Sequence, residues 1–301
     1  MVELLDPKYD CIFKRIFGTE EGKPRLISLL NALLKGQPCI RSLELNNPEI
    51  TKVLEDDKTS RLDIKATSDD GTLLDIEIQC RNTGELPERA VHYMANLFPH
   101  AVKEGEKYTK AKVISIWLLG EKTTSRQNAI SNAYMTFQKD DKDPYERMTD
   151  SARIIFVELS KFNPKDADMH DLLTGWLSFL KNPAFLDQSF LKNQAISSAF
   201  STLQYVSGDR IVQQIYDARR MTLNDRNSEM TIAREQGLAE GLAEGLAKGH
   251  AKGKAEGLEQ GLIEGEMLGV IKTARNLLAI DLPLEQISKA TGLSIEKLKN
   301  L

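Results

Sequence analysis

No stretch of the sequence approaches the roughly eighteen consecutive apolar residues that a membrane-spanning helix needs, so no membrane partner is expected. Residues 1–6 lack a basic segment followed by an apolar run, which argues against secretion and makes a cytoplasmic location the expectation. Cysteine is scarce. Cys11, Cys39 and Cys80 are odd in number, widely spaced and in apolar settings, which excludes a disulfide framework and suits free thiols in a reducing compartment. The four histidines, His92, His100, His170 and His250, show no spacing suited to a metal site or a catalytic triad. Neither sign of charge dominates: 40 basic against 44 acidic residues leave a net charge of −4, with no general electrostatic drive toward nucleic acid. Any DNA contact must come from local basic surface, for which Lys8, Lys14, Arg15, Lys103, Lys107, Lys110 and Lys112 are candidates. Gly18 to Pro24 superficially suggests a phosphate loop but is one residue short between its glycines and has Pro where a hydroxyl must ligate magnesium.

What the sequence does have is a pair of short alternating segments. Arg61-Leu62-Asp63-Ile64-Lys65-Ala66 and Leu74-Asp75-Ile76-Glu77-Ile78-Gln79 each alternate apolar and polar residues and flank Ser68-Asp69-Asp70-Gly71, which reads as a β-hairpin. With Asp69, Asp70 and Gly71 as a three-residue connection and Gly71 left-handed, paired residue numbers sum to 140. Asp63 then lies opposite Glu77, on a face shared with Arg61, Lys65, Asp75 and Gln79, while Leu62, Ile64, Ala66, Leu74, Ile76 and Ile78 face a core. A two-residue Asp70-Gly71 turn would shift the register and separate the two acids; the matched polar and apolar faces favour the first register.

Two carboxylates held side by side repel each other, and a divalent cation relieves that repulsion while lowering the pKa of a bound water. Oxygen-only ligands suit magnesium or manganese. The competing reading is a solvated sheet face carrying charges of both signs.

An Asp followed at a distance by Glu-x-Lys is the signature of PD-(D/E)XK nucleases. Asp63, thirteen intervening residues and Glu77-Ile78-Gln79 resemble it, with Gln79 in the place of Lys. The opening Leu5-Asp6-Pro7-Lys8-Tyr9-Asp10, the following Ile12-Phe13-Lys14-Arg15-Ile16-Phe17-Gly18, the Asp-Ile-Glu-Ile-Gln strand and Arg89 through Tyr93 resemble the Rpn family of recombination-promoting nucleases, or transposases. The resemblance covers about residues 4 to 120. It implies a restriction-endonuclease-like α/β core, a mixed sheet flanked by helices, that cuts DNA with Mg2+, Mn2+ being a substitute. It implies Asp63 and Glu77 as metal ligands, with the Ile78 carbonyl and Asp10 as further ones, and Gln79 as the residue orienting the attacking water. Gln79 cannot supply the charge of the motif lysine, and Lys65, two residues from Asp63, is a candidate replacement. Arg89 and Tyr93 share a helix face beginning near Pro87; Arg89 could pair with a scissile phosphate or hold a hairpin carboxylate.

The length and a hydrophobic content of 41% suggest one main domain with an appendage. Helices are expected between Asp10 and Leu34, strands near 40–45 and 50–55, a helix from Pro87 to about Lys103, and buried strands at 112–119 and 153–159. The resulting divisions are 1–165 for the nuclease-like core, 166–232 for a helical subdomain with Trp176 in its core, 233–270 for a repeat, and 271–301 for a small tail. In the repeat nine glycines recur every fourth residue from Gly237 to Gly269. Such a stripe drifts around a helix, and each glycine costs about 1 kcal/mol relative to alanine. The repeat is therefore either a homo-oligomer contact over residues 237–269 or an extendable linker. The tail reads as a short helix near 271–278, a helix from Pro283, a stop at Gly292 and a helix capped by Ser294, a spacing that resembles a helix-turn-helix. Two functions follow: a Mg-dependent DNA endonuclease of low sequence specificity acting in recombination or transposition-like processes, or a catalytically inactive DNA- or partner-binding protein assembled through the glycine repeat.

Overall fold

The computed structural model describes residues 3–35, 37–46, 64–80, 84–102, 107, 111–125, 127–137 and 146–301. It divides into two compact units, Met1–Thr222 and Leu223–Leu301.

The first unit is built on a six-stranded mixed sheet. Its strands are β1 (Leu43–Leu45), β2 (Ile64–Ser68), β3 (Leu73–Gln79), β4 (Val113–Leu119), β5 (Ile130–Tyr134) and, after the small β6 (Thr136–Phe137) and β7 (Glu146–Arg147) pair, β8 (Ala152–Glu158). The order across the sheet is β1-β2-β3-β4-β8-β5; β3/β4 and β4/β8 are parallel and the other pairs antiparallel. The β2–β3 register is Ile64↔Ile76, Lys65↔Asp75, Ala66↔Leu74 and Thr67↔Leu73, so paired numbers sum to 140. The turn closes by mutual Ser68–Thr72 proximity, with Ser68 N–H donating to Thr72 O, and Gly71 at φ +83° supplies the left-handed residue. The three-residue connection is thus the one formed. Asp63 lies outside the described residues, as do Arg61, Leu62 and the strand expected at 50–55.

Because side chains alternate along each strand, the register sorts the sheet into two faces. Leu74, Ile76, Ile116, Leu118, Ile155 and Val157 face a helical layer of α1 (Asp10–Phe17), α2 (Lys23–Leu33), α4 (Leu172–Lys181) and α5 (Gln194–Gly208). In α1 the stripe Ile12, Phe13, Ile16 and Phe17 is wholly buried, and Gly18 ends the helix by donating its N–H to Lys14 O. Pro24 opens α2, whose Leu26, Leu29, Leu30 and Leu33 continue the same core. Asp171 caps α4 and Asn193 caps α5. Trp176 is fully buried among Phe17 and Phe179 and donates its Nε1–H to Ser28 Oγ, so it is a core residue as expected. The start of α6 (Arg210–Leu278) joins this layer through buried Val212 and through Tyr216, whose ring packs at a tilt against Tyr9 with centroids 4.5 Å apart.

The opposite face carries α3 (Leu86–Ala101), seated by Leu86, Ala90 and Met94 on Val113, Trp117, Leu119, Ala152, Ile154 and Phe156. Strand β5 had no counterpart among the expected elements: Ile-Ser-Asn-Ala-Tyr carries only a weak alternation, and the strand occupies a sheet edge.

In the second unit α6 runs on without a break, so residues 271–278 end a long helix rather than forming a separate one. A Cβ added at any of the nine repeat glycines would meet open space. The helix is followed by α7 (Leu284–Thr291), Gly292 at φ +73°, and α8 (Ile295–Lys299), capped by Ser294 Oγ accepting from Lys297 N–H. Ala274, Ile287 and Leu298 form its small core. No helix among the described residues is long and apolar enough to cross a membrane.

Candidate active site

Strand β3 and helix α3 position most of the candidate residues. The parallel register pairs Asp75 with Ser115, Glu77 with Trp117 and Gln79 with Leu119, so all three polar residues of β3 project to the face that α3 covers. Lys65, opposite Asp75, belongs to that face as well. Among the described residues the competing reading of a solvated polar face does not hold. Asp75 is 1% exposed, Lys65, Glu77 and Gln79 are half-buried, and Asp75 Oδ1, Glu77 Oε1 and Gln79 Oε1 are shut off from solvent. The physical reason is α3: its Pro-started, amphipathic length needs an apolar floor, and Trp117 with its neighbours on β4 and β8 provides one directly beside the polar row of β3.

The buried polar groups are wired to one another. Trp117 Nε1–H donates to Ser115 Oγ at 2.9 Å, and Ser115 Oγ–H donates to Asp75 Oδ2 at 3.2 Å. This chain compensates part of the desolvation that a buried carboxylate would otherwise suffer. The indole also serves α3. The Arg89 guanidinium carbon lies 5.7 Å from the Trp117 ring centroid and 5.8 Å from that of Tyr93, and the two rings are 5.6 Å apart. Arg89 and Tyr93, one helical turn apart, thus close on the strand position paired with Glu77. Gly84 at φ +74° and Glu85 at φ +48° put two left-handed residues immediately before α3 and aim its first turn.

Asp10 opens α1, where the helix dipole favours an acid, and its Oδ1 accepts the Cys11 N–H at 2.6 Å. The N-terminal segment reaches the end of β3: Cys80 Sγ donates to Lys8 O at 2.9 Å. Burial pushes the Cys80 thiol up to about 12, with Asp6 and Asp10 adding to the rise and Lys8 opposing it. Burial, with adjacent Asp10, likewise raises the Cys11 thiol to about 12. Cys39, by contrast, is exposed rather than in an apolar setting.

The same end of the sheet is pinned by a buried ion pair. Glu158, wholly buried at the end of β8, accepts from Lys161 Nζ, from the Thr124 hydroxyl and from the main-chain N–H groups of Thr123 and Thr124. Burial pushes its carboxyl upward, but these donors, Lys161 foremost, outweigh it and hold the pKa below the ordinary 4.5. The loop leaving β4 is thereby fixed next to Gly120, whose N–H donates to Gln79 O.

Three of the described residues of the candidate basic surface are engaged, buried or set apart. Lys8 is bound to Asp6 at 2.8 Å and to Lys181 O, Lys14 is 8% exposed, and Lys112 lies at the hairpin-turn end near Asp70; Lys103 and Lys110 are outside the described residues.

The residues expected to hold a metal, Glu77 with its carboxylate, Ile78 with its main-chain carbonyl and Asp10 at the start of α1, offer hard oxygen donors. That chemistry suits Mg2+ or Mn2+ better than zinc. Among the described residues no three His, Cys, Asp or Glu side chains converge as a ready metal cluster, Asp63 being outside them. Trp117 and Ser115 escaped the sequence reading because 113–119 registers as one apolar run. Its lone serine, two residues before an indole on the same face, was the available signal.

Compared with known families, residues 7–233 match the one described as PD-(D/E)XK nuclease family transposase. No curated protein and no solved structure matches the chain.

Proposed function

The chain belongs to the PD-(D/E)XK nuclease family transposases, and from that footing we propose that it is a Mg2+-dependent DNA endonuclease of low sequence specificity that serves recombination or transposition-like processes. The observation that carries the reading is the hairpin register through Ile64↔Ile76, the register that a juxtaposition of Asp63 and Glu77 requires.

In this reading Asp63, Glu77, Asp10 and the Ile78 carbonyl would hold the ion; Mn2+ could replace Mg2+. When bound, such an ion lowers the pKa of a coordinated water and offsets charge on the phosphoryl oxygens. Gln79 orients the attacking water through its amide and contributes no charge. Lys65, on the same face, is the nearest residue of β2 able to supply it. Arg89 presents a planar set of donors to a non-bridging phosphate oxygen, and the Tyr93 and Trp117 rings hold it in place.

A second reading keeps a specific observation: with Gln79 in the lysine position and nine unobstructed glycines along α6, the chain would bind DNA or a partner without cutting and assemble through residues 237–269. A plasmid assay separates the two. Supercoiled DNA is incubated with the protein in Mg2+, Mn2+, Ca2+ or EDTA, beside Asp63→Ala and Glu77→Ala proteins whose folding is matched by circular dichroism. Nicking that needs Mg2+ or Mn2+ and disappears in both variants is expected. No nicking would replace the nuclease reading with the binding one, and equal nicking by the variants would overturn the assigned site or mark a contaminating nuclease.

A further inference from the structure

The helical layer leaves one end of its sheet face uncovered, at the strand ends remote from Gln79, and a cavity of about 370 Å³ lies there. That volume falls in the range of roughly 300–1,000 Å³ that holds small ligands. Its floor is a single register row across four strands, Leu74–Ile114–Arg153–Tyr134. Leu34 and Ile40, from the end of α2 and the segment after it, form an apolar wall.

Arg153 is the anomaly. Every second residue of β8 on this face is otherwise apolar, Ile155 and Val157 being wholly buried. Arg153 is only half-buried, so its guanidinium stays accessible at the open end of this face. Here its Nε and Nη2 both donate to Asn132 Oδ1, at 3.0 and 2.6 Å, which is a neutral acceptor. Its carbon lies 5.6 Å from the Tyr134 ring. Nη1 makes no hydrogen bond among the described residues.

The cavity wall also carries three acids, Asp69, Asp70 and Asp150, whose hydrogen-bond and ion-pair partners among the described residues do not include Arg153. Asp150 binds Arg147 at 2.6 Å, Asp69 accepts the Arg41 N–H, and Asp70 accepts from Ser68 Oγ and Thr72 N–H. Lys112 is 3.8 Å from Asp70, and Arg147 stacks on Tyr134 at 3.8 Å. The cavity therefore joins a guanidinium whose hydrogen-bond partner is neutral, two cations that each already lie beside an acid, and an apolar stretch of floor. A phosphate attached to a planar base matches the guanidinium and the apolar floor, the phosphate on Arg153 and the base against Ile114. We propose that this cavity binds a 5′-nucleotide, either free or as the phosphorylated terminus of a DNA strand. The site uses no residue of the candidate active site.

Calorimetric titration of the full chain in EDTA tests this independently of the nuclease reading, because no cleavage can occur. The titrants are 5′-dAMP, deoxyadenosine, inorganic phosphate and a 5′-phosphorylated oligonucleotide with its unphosphorylated twin, against wild type and Arg153→Gln. Phosphate-dependent binding is expected, with deoxyadenosine or the unphosphorylated strand about tenfold or more weaker, and Arg153→Gln weakened by about the same factor. Binding of dAMP identifies the free nucleotide as a ligand; phosphate-dependent binding of the oligonucleotide alone identifies the strand end. Either supports the site. Binding that ignores the 5′-phosphate, inorganic phosphate binding as tightly as the nucleotide, or equal affinity in a folded Arg153→Gln overturns it.

Cys39, exposed on the cavity wall, gives a readout on the unaltered protein, since Cys11 and Cys80 are half-buried and their thiols are pushed up to about 12. A disulfide reagent such as DTNB labels Cys39 first, and a saturating concentration of whichever phosphorylated titrant binds should slow that labelling severalfold. An unchanged rate overturns the proposal even if Arg153→Gln fails to fold.

Discussion

Lys161 and Glu158 show how a single buried charge can govern both stability and its pH dependence. Replacing Lys161 by Met strands a fully buried carboxylate, and urea unfolding should show a loss of about 3–5 kcal/mol. In the intact protein the Glu158 pKa lies below its ordinary 4.5. Its contribution is therefore fully present above that value and is lost as pH falls through the depressed one. Melting temperature measured downward from pH 6 should hold steady to about pH 5 and then drop; Lys161→Met should show a shallower acid fall. Trp117 is the other residue with a double role, holding Arg89 on one side and Ser115 on the other. Trp117→Leu keeps an apolar core residue but removes the platform and the indole donor. If Arg89 contacts the scissile phosphate, nicking should fall by tenfold or more in a protein that still melts cooperatively; undiminished nicking would remove Arg89 from the site. Glu77 and Gln79 were legible as candidates from sequence, since alternation alone puts them on one side of a strand. Their burial was not, because it is imposed by α3 and β4, which approach from elsewhere in the chain.

At the scale of elements, the hairpin was the most legible part. Gly71 is the one residue of its turn that takes a left-handed conformation, and that choice fixes the register for every pair that follows. The helix after Pro87 and the strands at 113–119 and 152–158 were also readable, each having either a start signal or a continuous apolar run. The edge strand β5 was not, since one row of partners suffices to hold it and its sequence keeps little pattern. Gly120 offers the sharpest test of how strands support the site. A Cβ there would run into the Cys80 carbonyl, so Gly120→Ala must push the ends of β3 and β4 apart. A loss of about 1–3 kcal/mol is expected in denaturant unfolding, with a disproportionate loss of nicking because Gln79 is the residue displaced. Proportionate losses would place Gln79 outside the reaction.

For the molecule as a whole, the glycine repeat was visible in sequence as a period, but not what it contacts. Gly245→Ala, Gly249→Ala and Gly253→Ala meet no atoms of this chain and should each favour the helix by about 1 kcal/mol. If the stripe pairs copies by close backbone approach, sedimentation equilibrium of the triple variant should show weaker self-association despite greater helicity; unaltered association would assign the contact to other residues. The sheet, α4, α5 and the start of α6 share one core, which gives the first unit its own minimum length. A fragment ending at 222 should unfold cooperatively, whereas one ending at 165 should not, as judged by near-ultraviolet circular dichroism.

That shared core has a consequence during synthesis. Every candidate catalytic side chain has left the ribosome by Tyr93, yet the layer that braces their strands is completed only by Val212. A growing chain, or one cut short by a premature stop, would carry the full chemistry of the site with no folded frame to aim it. Whatever cutting power the protein has is withheld until most of it has been made.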